Sequence, residues 1–339
     1  MGLRVAVTGP TGDIGRALLR ALEVDARVDA VVGMARRPFD PASMGLTKTS
    51  YQQGDMTDRA AVDRLVAGAD VVVHLAFIII DAANAHDVNV TGSRTVFAAT
   101  AAAGVPRLVY ASSVAAYGFH ADNPQPLTED VGTRGTDTHP YSAQKAELEA
   151  ILRECLRGSR TRAWVFRPCI VAGEDAPMLV DQIPYVKWGP ALRDRLPGAL
   201  RGLLDQVPLV RPVLPDPGVP FQLVHHDDVA AALQAGIAGT GEPGVYNLAA
   251  PGQLTVSELA DALGYAALPV PAVAVDATAG LIARLPVVPA QARWIDTFRT
   301  PVLMSTEKAA RELGWHPRHD AQETLRRTVE AVRARPASG

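Results

Sequence analysis

The chain of 339 residues has few cysteines, few aromatic side chains and a small net charge. Its two cysteines, Cys155 and Cys169, are too few for a disulfide framework or a cysteine-rich metal site, so we expect a reducing, cytoplasmic setting. A net charge of -3 gives no basis for binding nucleic acid. The longest apolar stretch, about residues 266–288, contains Asp276 and Arg284, so it predicts a buried helix with flanking loops and no membrane span.

Short apolar runs alternate with helical patterns in the first half of the chain, which is typical of βαβ units and a parallel sheet. After residue 173 the chain becomes rich in proline and leucine. We therefore expect an α/β fold, a doubly wound parallel sheet (Rossmann), with a smaller C-terminal substrate-binding lobe. The expected dinucleotide-binding domain covers 1–173 and is completed by about 221–250 and part of 300–335; the lobe covers 174–220 and 251–299.

A glycine-rich turn follows the first predicted strand and precedes the first predicted helix. Glycine lets the backbone turn tightly and approach a pyrophosphate, and the helix N-terminus offers N–H groups with a partial positive charge. An ordinary strand–helix turn is the alternative. The residues expected to contact a dinucleotide here are Gly9, Gly12, Asp13, Ile14 and Gly15.

Tyr141 and Lys145 lie four residues apart, so they share one face of a helix whose first turn suits Pro140. An ammonium beside a phenol favours the phenolate and lowers its pKa, which makes Tyr141 a candidate general acid or base. A chance pair on a solvated helix is the alternative. Downstream of a nucleotide-binding turn, the pair predicts an enzyme that moves hydride to or from a nicotinamide.

Seven segments resemble, in order, the motifs of the extended short-chain dehydrogenase/reductase family, also called the NAD-dependent epimerase/dehydratase family. They are the glycine turn and residues 54–58, 74–76, 89–92, 110–118, 167–171 and 224–230. The resemblance implies that Ser113 holds the substrate oxygen, with Ser112 as the alternative, while Tyr141 passes the proton. It also implies that Lys145 binds the nicotinamide ribose and that Asn89 braces the active site through backbone bonds.

The resemblance implies further cofactor contacts. Asp55 accepts a hydrogen bond from the adenine amino group and Met56 lies beside the adenine ring, whereas Asp58 is better explained as a helix cap. The residues implied to line the cofactor are Leu75, Ala76, Phe77, Pro168, Ile170 and Val171.

The second predicted strand ends at Ala35 without an acidic residue and is followed by Arg36 and Arg37. An acidic residue there would bind the ribose diol of NAD, whereas guanidinium groups attract a 2′-phosphate. We therefore expect a preference for NADP(H), with NAD(H) still possible. Two solvated surface arginines are the alternative.

The sequence His225-His226 suggests a metal site, but neighbouring residues of an extended segment point to opposite faces. Packed histidines and a helix cap from Asp227 or Asp228 are the preferred interpretation. Cys169 has no basic partner in sequence and is interpreted as an inert thiol. We expect no metal.

The expected function is that of an NAD(P)-dependent oxidoreductase acting on a carbonyl or secondary alcohol of a small metabolite. The apolar run Phe77–Ile80, and the lack of a cation in 219–223, favour a lipophilic substrate. A nucleotide-sugar epimerase or dehydratase with tightly bound NAD is the first alternative, and a non-catalytic cofactor-binding sensor the second. We expect a homodimer. Four arginines of the second lobe keep the sugar alternative open: Arg193, Arg195, Arg201 and Arg299.

Overall fold

The computed structural model describes residues 2–79, 84–181, 213–269 and 300–334. These residues form two compact units. The described part of the first unit is 2–79, 84–169, 226–249 and 304–318. The described part of the second unit is 170–181, 213–225, 250–269, 300–303 and 319–334.

Strands and helices alternate along the first part of the chain. The strands are β1 (Leu3–Thr8), β2 (Val28–Ala35), β3 (Thr49–Gln53), β4 (Val71–His74), β5 (Arg107–Ala111), β6 (Arg162–Pro168), β7 (Ile170–Ala172), β8 (Val213–Asp216), β9 (Leu223–His225), β10 (Gly244–Leu248) and β11 (Ala266–Pro269). The helices are α1 (Asp13–Glu23), α2 (Arg59–Val66), α3 (Ala85–Ala102), α4 (Pro140–Cys155), α5 (Met178–Asp181), α6 (His226–Ala238), α7 (Val256–Leu263), α8 (Glu307–Leu313) and α9 (Ala321–Ala334).

The first unit is built on a seven-stranded parallel sheet in the order β10-β6-β5-β4-β1-β2-β3. Successive strand residues face opposite sides of the sheet. Leu108 of β5 packs in one apolar core with residues of α2, α3 and α4. Its neighbour Val109 lies on the other side, near Gly236 of α6. Helices therefore cover both faces, and the predicted doubly wound α/β fold is confirmed.

The predicted elements of this unit are close to those observed. The first strand, Leu3–Thr8, has the predicted bounds, and the helix that carries Tyr141 begins at Pro140, one residue earlier than predicted. The helix predicted at about 266–288 is wrong at its start, because Ala266–Pro269 pairs with Val213–Asp216 as a parallel strand. The rest of that stretch, 270–288, lies outside the described residues.

In the second unit, β7 pairs with β9, and β8 pairs with β11. Leu259 of α7 and Leu325 of α9 belong to its apolar core. The unit boundaries follow Cys169 and His225, whereas the sequence suggested 173 and 221. The difference arises because β7 and β9 bond to each other. Across the described ranges, no helix combines the length and apolar character that crossing a bilayer requires.

Candidate active site

The glycine turn has no room for side chains at two of its three glycines. Gly9 has φ +72°, and a Cβ there would lie 2.7 Å from the backbone nitrogen of Ala76. A Cβ on Gly15 would lie 2.3 Å from the carbonyl oxygen of Gly9. A Cβ on Gly12 would meet its nearest atom at 3.6 Å, an ordinary contact. The close approach of the turn, the start of α1 and the segment after β4 explains why this sequence needs glycine at 9 and 15.

A buried histidine fixes the end of β4 against β1. The Thr8 hydroxyl lies 2.7 Å from Nδ1 of His74, and the Ser93 hydroxyl lies 2.9 Å from Nε2. The Leu75 backbone N–H donates to the Thr8 carbonyl at 3.1 Å. Burial, and secondarily the charge of Lys145, lowers the pKa of His74 to about 3. His74 is therefore uncharged at neutral pH, and its contacts with Thr8 and Ser93 hold the start of the segment that follows it.

The next segment is held by Asn89 of α3, which is fully buried. Its side-chain oxygen accepts from the Ile78 N–H at 2.8 Å, and its amide donates to the Ile78 carbonyl at 3.0 Å. The same amide donates to the Gln144 side chain at 3.0 Å. Asn89 thus connects this segment with α4. Gln144 was not singled out from the sequence, although it directly precedes Lys145.

The two neighbouring serines after β5 have different partners. The Ser113 hydroxyl accepts from the Ala115 N–H at 3.2 Å and is hydrogen-bonded with Tyr141. The Ser112 hydroxyl donates to the buried Glu149 carboxylate at 2.6 Å. Ser113 therefore lies beside the Tyr141 phenol, whereas the Ser112 hydroxyl is directed to Glu149.

Lys145 lies among aromatic rings in the interior. Its ammonium donates to the Ala111 carbonyl at 3.0 Å and lies 4.2 Å from the centre of the Phe77 ring. It lies 5.8 Å from the centre of the Tyr141 ring. The Phe77 and Tyr141 rings meet edge to face, with centroids 5.5 Å apart. The structure thus brings together Tyr141, Lys145, Ser113 and Phe77 of the predicted site.

The expected lowering of the Tyr141 pKa is wrong. Burial raises the pKa of the phenol, and the hydrogen bond with Ser113 offsets this only in part. Burial also lowers the pKa of Lys145 to about 7, although the charge of Glu149 acts in the opposite direction. Lys145 is buried and Tyr141 is half-buried, and loss of hydration is the largest influence on both pKa values.

A buried ion pair lies behind this cluster and was missed in the sequence. Glu149 and Arg167 form two hydrogen bonds, at 2.6 and 2.8 Å, and each side chain is 3% exposed. The Arg167 guanidinium also lies 4.4 Å from the centre of the Tyr117 ring. Burial lowers the pKa of Arg167, but its bonds to Glu149 outweigh this and raise it overall. The sequence did contain one indication of Glu149: it follows Lys145 by one helical turn and so lies on the same face of the helix.

The candidate adenine site has one half-buried member, Asp55, and one buried member, Met56. The Asp55 carboxylate accepts from the N–H and hydroxyl of Thr57, both at 2.8 Å. Met56 is 7% exposed and packs in the core, where a Cβ on Gly92 would overlap it. Its side chain therefore offers little surface to a ligand. Asp58 caps α2 by accepting from the N–H groups of Ala60 and Ala61, so the cap prediction is confirmed.

Arg36 and Arg37 are exposed directly after β2. Gln53 donates to the Arg36 carbonyl at 2.9 Å, and the Tyr51 hydroxyl donates to the Arg37 carbonyl. The backbone of the two arginines is thereby fixed. Within the part of the chain that the structure describes, neither guanidinium forms an ion pair.

The remaining predicted cofactor residues fall in both units. Pro168 is buried at the end of β6, paired with Leu248 of β10. Cys169 is 7% exposed, which agrees with a packed thiol. Ile170 and Val171 belong to β7 of the second unit.

The two adjacent histidines are both buried. In the second unit, His225 lies 2.8 Å from the Glu174 carboxylate, and its ring centre lies 4.2 Å from that of His319. Asp228 accepts from the Arg318 N–H at 2.9 Å, so it holds the segment after α8. Ile80 and the four arginines of the expected lobe lie outside the described residues.

A seven-stranded parallel sheet with a glycine turn after its first strand defines the class of dinucleotide-binding α/β proteins. The model of the NAD dependent epimerase/dehydratase family matches residues 5–249, and the chain belongs to this family. The resemblance seen in the sequence is thereby confirmed.

Two named relatives match about half of the chain. A UDP-glucose 4-epimerase of Azospirillum brasilense is 32% identical over 51% of this chain and 50% of its own length. Sterol demethylase protein B of Methylococcus capsulatus is 33% identical over 49% of this chain and 54% of its own length. The chain thus spans about half the length of the curated relatives it matches.

The fold is similar to that of solved structures over nearly the whole chain. A short-chain dehydrogenase/reductase superfamily protein of Agrobacterium tumefaciens with bound NAD has a TM-score of 0.69 at 22% identity, with 97% of each chain covered.

Proposed function

We propose that this chain is an NAD(P)-dependent oxidoreductase that transfers hydride between a nicotinamide and a carbonyl or secondary alcohol. The observation that carries the proposal is the cluster of Ser113, Tyr141 and Lys145, in which the Ser113 hydroxyl acts on the Tyr141 phenol and the Lys145 ammonium lies 5.8 Å from the centre of the same ring. A ligand oxygen within reach of both hydroxyl groups would be oriented and polarised by them.

The residues present fit a dinucleotide. Gly9 and Gly15 let the turn close tightly on the chain's own backbone, so that the turn leads directly into the N-terminus of α1. Asp55 keeps one carboxylate oxygen for an adenine amino group, since both bonds from Thr57 go to the other oxygen. When bound, the nicotinamide supplies or accepts the hydride.

The chain's own residues handle the proton and the oxygen. Because burial raises the pKa of Tyr141, the phenol is protonated at neutral pH. Tyr141 therefore acts as a general acid when a carbonyl is reduced, and it must lose its proton before it can act as a base. Ser113 holds the oxygen, and Lys145 retains donors for the ribose hydroxyls after bonding to Ala111.

We also propose a preference for NADP(H). Arg36 and Arg37 are exposed after β2 with their backbone fixed by Gln53 and Tyr51, and β2 ends at Ala35 without a carboxylate. Two guanidinium groups at this position suit a 2′-phosphate.

For the substrate, we propose a small, lipophilic metabolite. Phe77 stands against Tyr141, and His139 lies between Tyr141 and Phe119, with ring centres 6.4 and 4.9 Å away. Ile79, two residues after Phe77, is 47% exposed. Apolar and aromatic surface beside the proton donor suits an apolar ligand. The relative named sterol demethylase protein B supports this choice.

The epimerase or dehydratase alternative is supported equally by the family and by the UDP-glucose 4-epimerase relative. The test is to incubate the protein with oxidised cofactor and a panel of secondary alcohols and sugar nucleotides. A dehydrogenase releases one reduced cofactor for each product, which its absorbance reports. An epimerase or dehydratase forms product without net reduction. Absence of turnover with every substrate, together with cofactor binding, would favour a sensor.

A further inference from the structure

A buried carboxylate lies one helical turn beyond Lys145. Glu149 follows it by four residues in α4, so the two side chains share a face of the helix. Oxygen Oε1 of Glu149 accepts from the Ser112 hydroxyl at 2.6 Å and from Nε of Arg167 at 2.8 Å. Oxygen Oε2 accepts from Nη2 of Arg167 at 2.6 Å. The carboxylate is therefore held in one orientation by two neighbouring strand ends.

Lys145 and Glu149 also contact consecutive residues at the end of β5. The Lys145 ammonium donates to the Ala111 carbonyl at 3.0 Å, and Glu149 accepts from the next residue, Ser112. Lys145 is 4% exposed and Glu149 is 2% exposed. Lys145 and Glu149 are thus both shielded from water at the carboxyl end of the sheet. Charges act on each other more strongly there than in water.

Among the residues that the structure describes, three other titratable groups close to Lys145 are neutral at pH 7. His74 of β4 is neutral because burial lowers its pKa to about 3. Tyr110 of β5, whose ring centre lies 5.4 Å from the ammonium, and Tyr141 of α4 both have pKa values raised by burial. The opposing negative charge that acts on Lys145 comes from Glu149.

We propose that Glu149 is a positioning residue whose carboxylate, fixed by Arg167 and Ser112, favours the ammonium form of Lys145 over the neutral amine. An ammonium has three donors, so two remain for a ligand after the bond to Ala111. The catalytic consequence rests on the proposed function, in which this ammonium binds the nicotinamide ribose. The charge relation itself is a property of the folded chain.

The test is Glu149→Gln, which keeps the shape and removes the charge. Glu147→Gln is the matched control, because Glu147 lies on the same helix but its side chain is 43% exposed. We expect the alkaline limb of the pH profile of kcat/KM to move down by about one to two units in Glu149→Gln. The control should keep the parent profile. A folded Glu149→Gln with the parent midpoint, even at reduced turnover, would overturn the proposal.

Glu149→Gln leaves the buried Arg167 guanidinium without its carboxylate, which can prevent folding. The double variant Glu149→Gln/Arg167→Met removes both charges, so its pH profile of kcat/KM gives the same test. A midpoint below that of the parent supports the proposal, and an unchanged midpoint rejects it.

A second readout is independent of catalysis. The stability difference between each background and its Lys145→Met derivative, followed against pH, reports when Lys145 loses its proton. The midpoint of that curve should fall by about one to two units without Glu149. If the parent shows no oxidoreductase activity but this shift appears, the proposed function fails and the role of Glu149 stands.

Discussion

The Lys145 ammonium lies 4.2 Å from the centre of the Phe77 ring, inside the protein. An ammonium over an aromatic face is stabilised by about 0.5–2 kcal/mol, more when water is excluded. The contact joins α4, which carries Tyr141, to the segment after β4 that Asn89 holds. Tyr141, proposed to move the proton, and Lys145 and Phe77, proposed to bind the cofactor, therefore form one cluster. A substitution at Lys145 should affect both proton transfer and cofactor binding.

The first prediction concerns stability and pH. Burial lowers the pKa of Lys145 from 10.5 to about 7. Between these values the unfolded chain binds more protons than the folded one, so the free energy of unfolding of the parent rises with pH. We expect the free energy of unfolding of Lys145→Met, relative to that of the parent, to be highest at and below pH 7. Its relative advantage should fall by up to ~1.4 kcal/mol per pH unit above that.

Chemical denaturation at several pH values measures this difference. Lys308→Met is the matched control, because the Lys308 amine also donates to a carbonyl, that of Val245, and lies 4.7 Å from the Tyr246 ring centre, but it is only half-buried. A difference between Lys145→Met and parent that stays constant from pH 6 to about 10 would show that Lys145 keeps its proton throughout.

The second prediction concerns the proton carrier. Tyr141→Phe removes the phenol oxygen but keeps the ring that packs edge to face on Phe77. Turnover should fall by about 10²–10⁴-fold, the usual loss for a general acid or base. Cofactor affinity, measured by fluorescence of the reduced cofactor, should stay within a few-fold. Turnover close to that of the parent would mean that another group carries the proton.

Periodicity and turn chemistry made much of the first unit predictable. The strand Leu3–Thr8 is bounded by a turn that needs glycine at 9 and 15 for steric reasons, and such positions are visible in a sequence. The apolar stretch from 266 was misassigned in its first residues. Short apolar runs fit a strand or a helix equally well, and the pairing with Val213–Asp216 is a long-range event.

Electrostatics at the site could not be predicted in the same way. The sequence places Lys145 beside Tyr141 on a helix, which by itself lowers the phenol pKa. The structure buries Lys145 and half-buries Tyr141, and desolvation raises the Tyr141 pKa where the sequence predicted a lower one. Glu149 and Arg167 were missed for a related reason, since their pairing depends on the end of β6 meeting α4. Sequence spacing alone does not show which charged side chains are buried away from water.

The third prediction concerns cofactor choice. Arg36→Ala/Arg37→Ala should lower kcat/KM with NADP(H) by roughly 10-fold or more and leave NAD(H) nearly unchanged, because loss of charge-assisted bonds to a phosphate costs about 1.5–3 kcal/mol. Arg64→Ala, a change at an exposed arginine in α2, is the control. Steady-state kinetics with both cofactors decide the matter. A parent protein that prefers NAD(H) contradicts the prediction, and the two arginines are then surface residues.

The last prediction is that the substrate carries no nucleoside diphosphate group. A nucleotide sugar brings a diphosphate, which needs cations or helix N-termini for its charge. The stretch 219–223 has no cation, and its Phe221 and Leu223 are buried in the second unit. On the first unit, the backbone that follows Ala76 presents apolar Phe77 and Ile79. We therefore expect UDP, dTDP and GDP to bind the cofactor-loaded protein no more tightly than about 1 mM, an affinity of roughly 4 kcal/mol, in calorimetric titrations. Titration of the cofactor itself serves as the positive control for folded protein. Micromolar binding of any of the three nucleotides would instead favour the epimerase or dehydratase function, with the diphosphate held by cations outside the stretches named here.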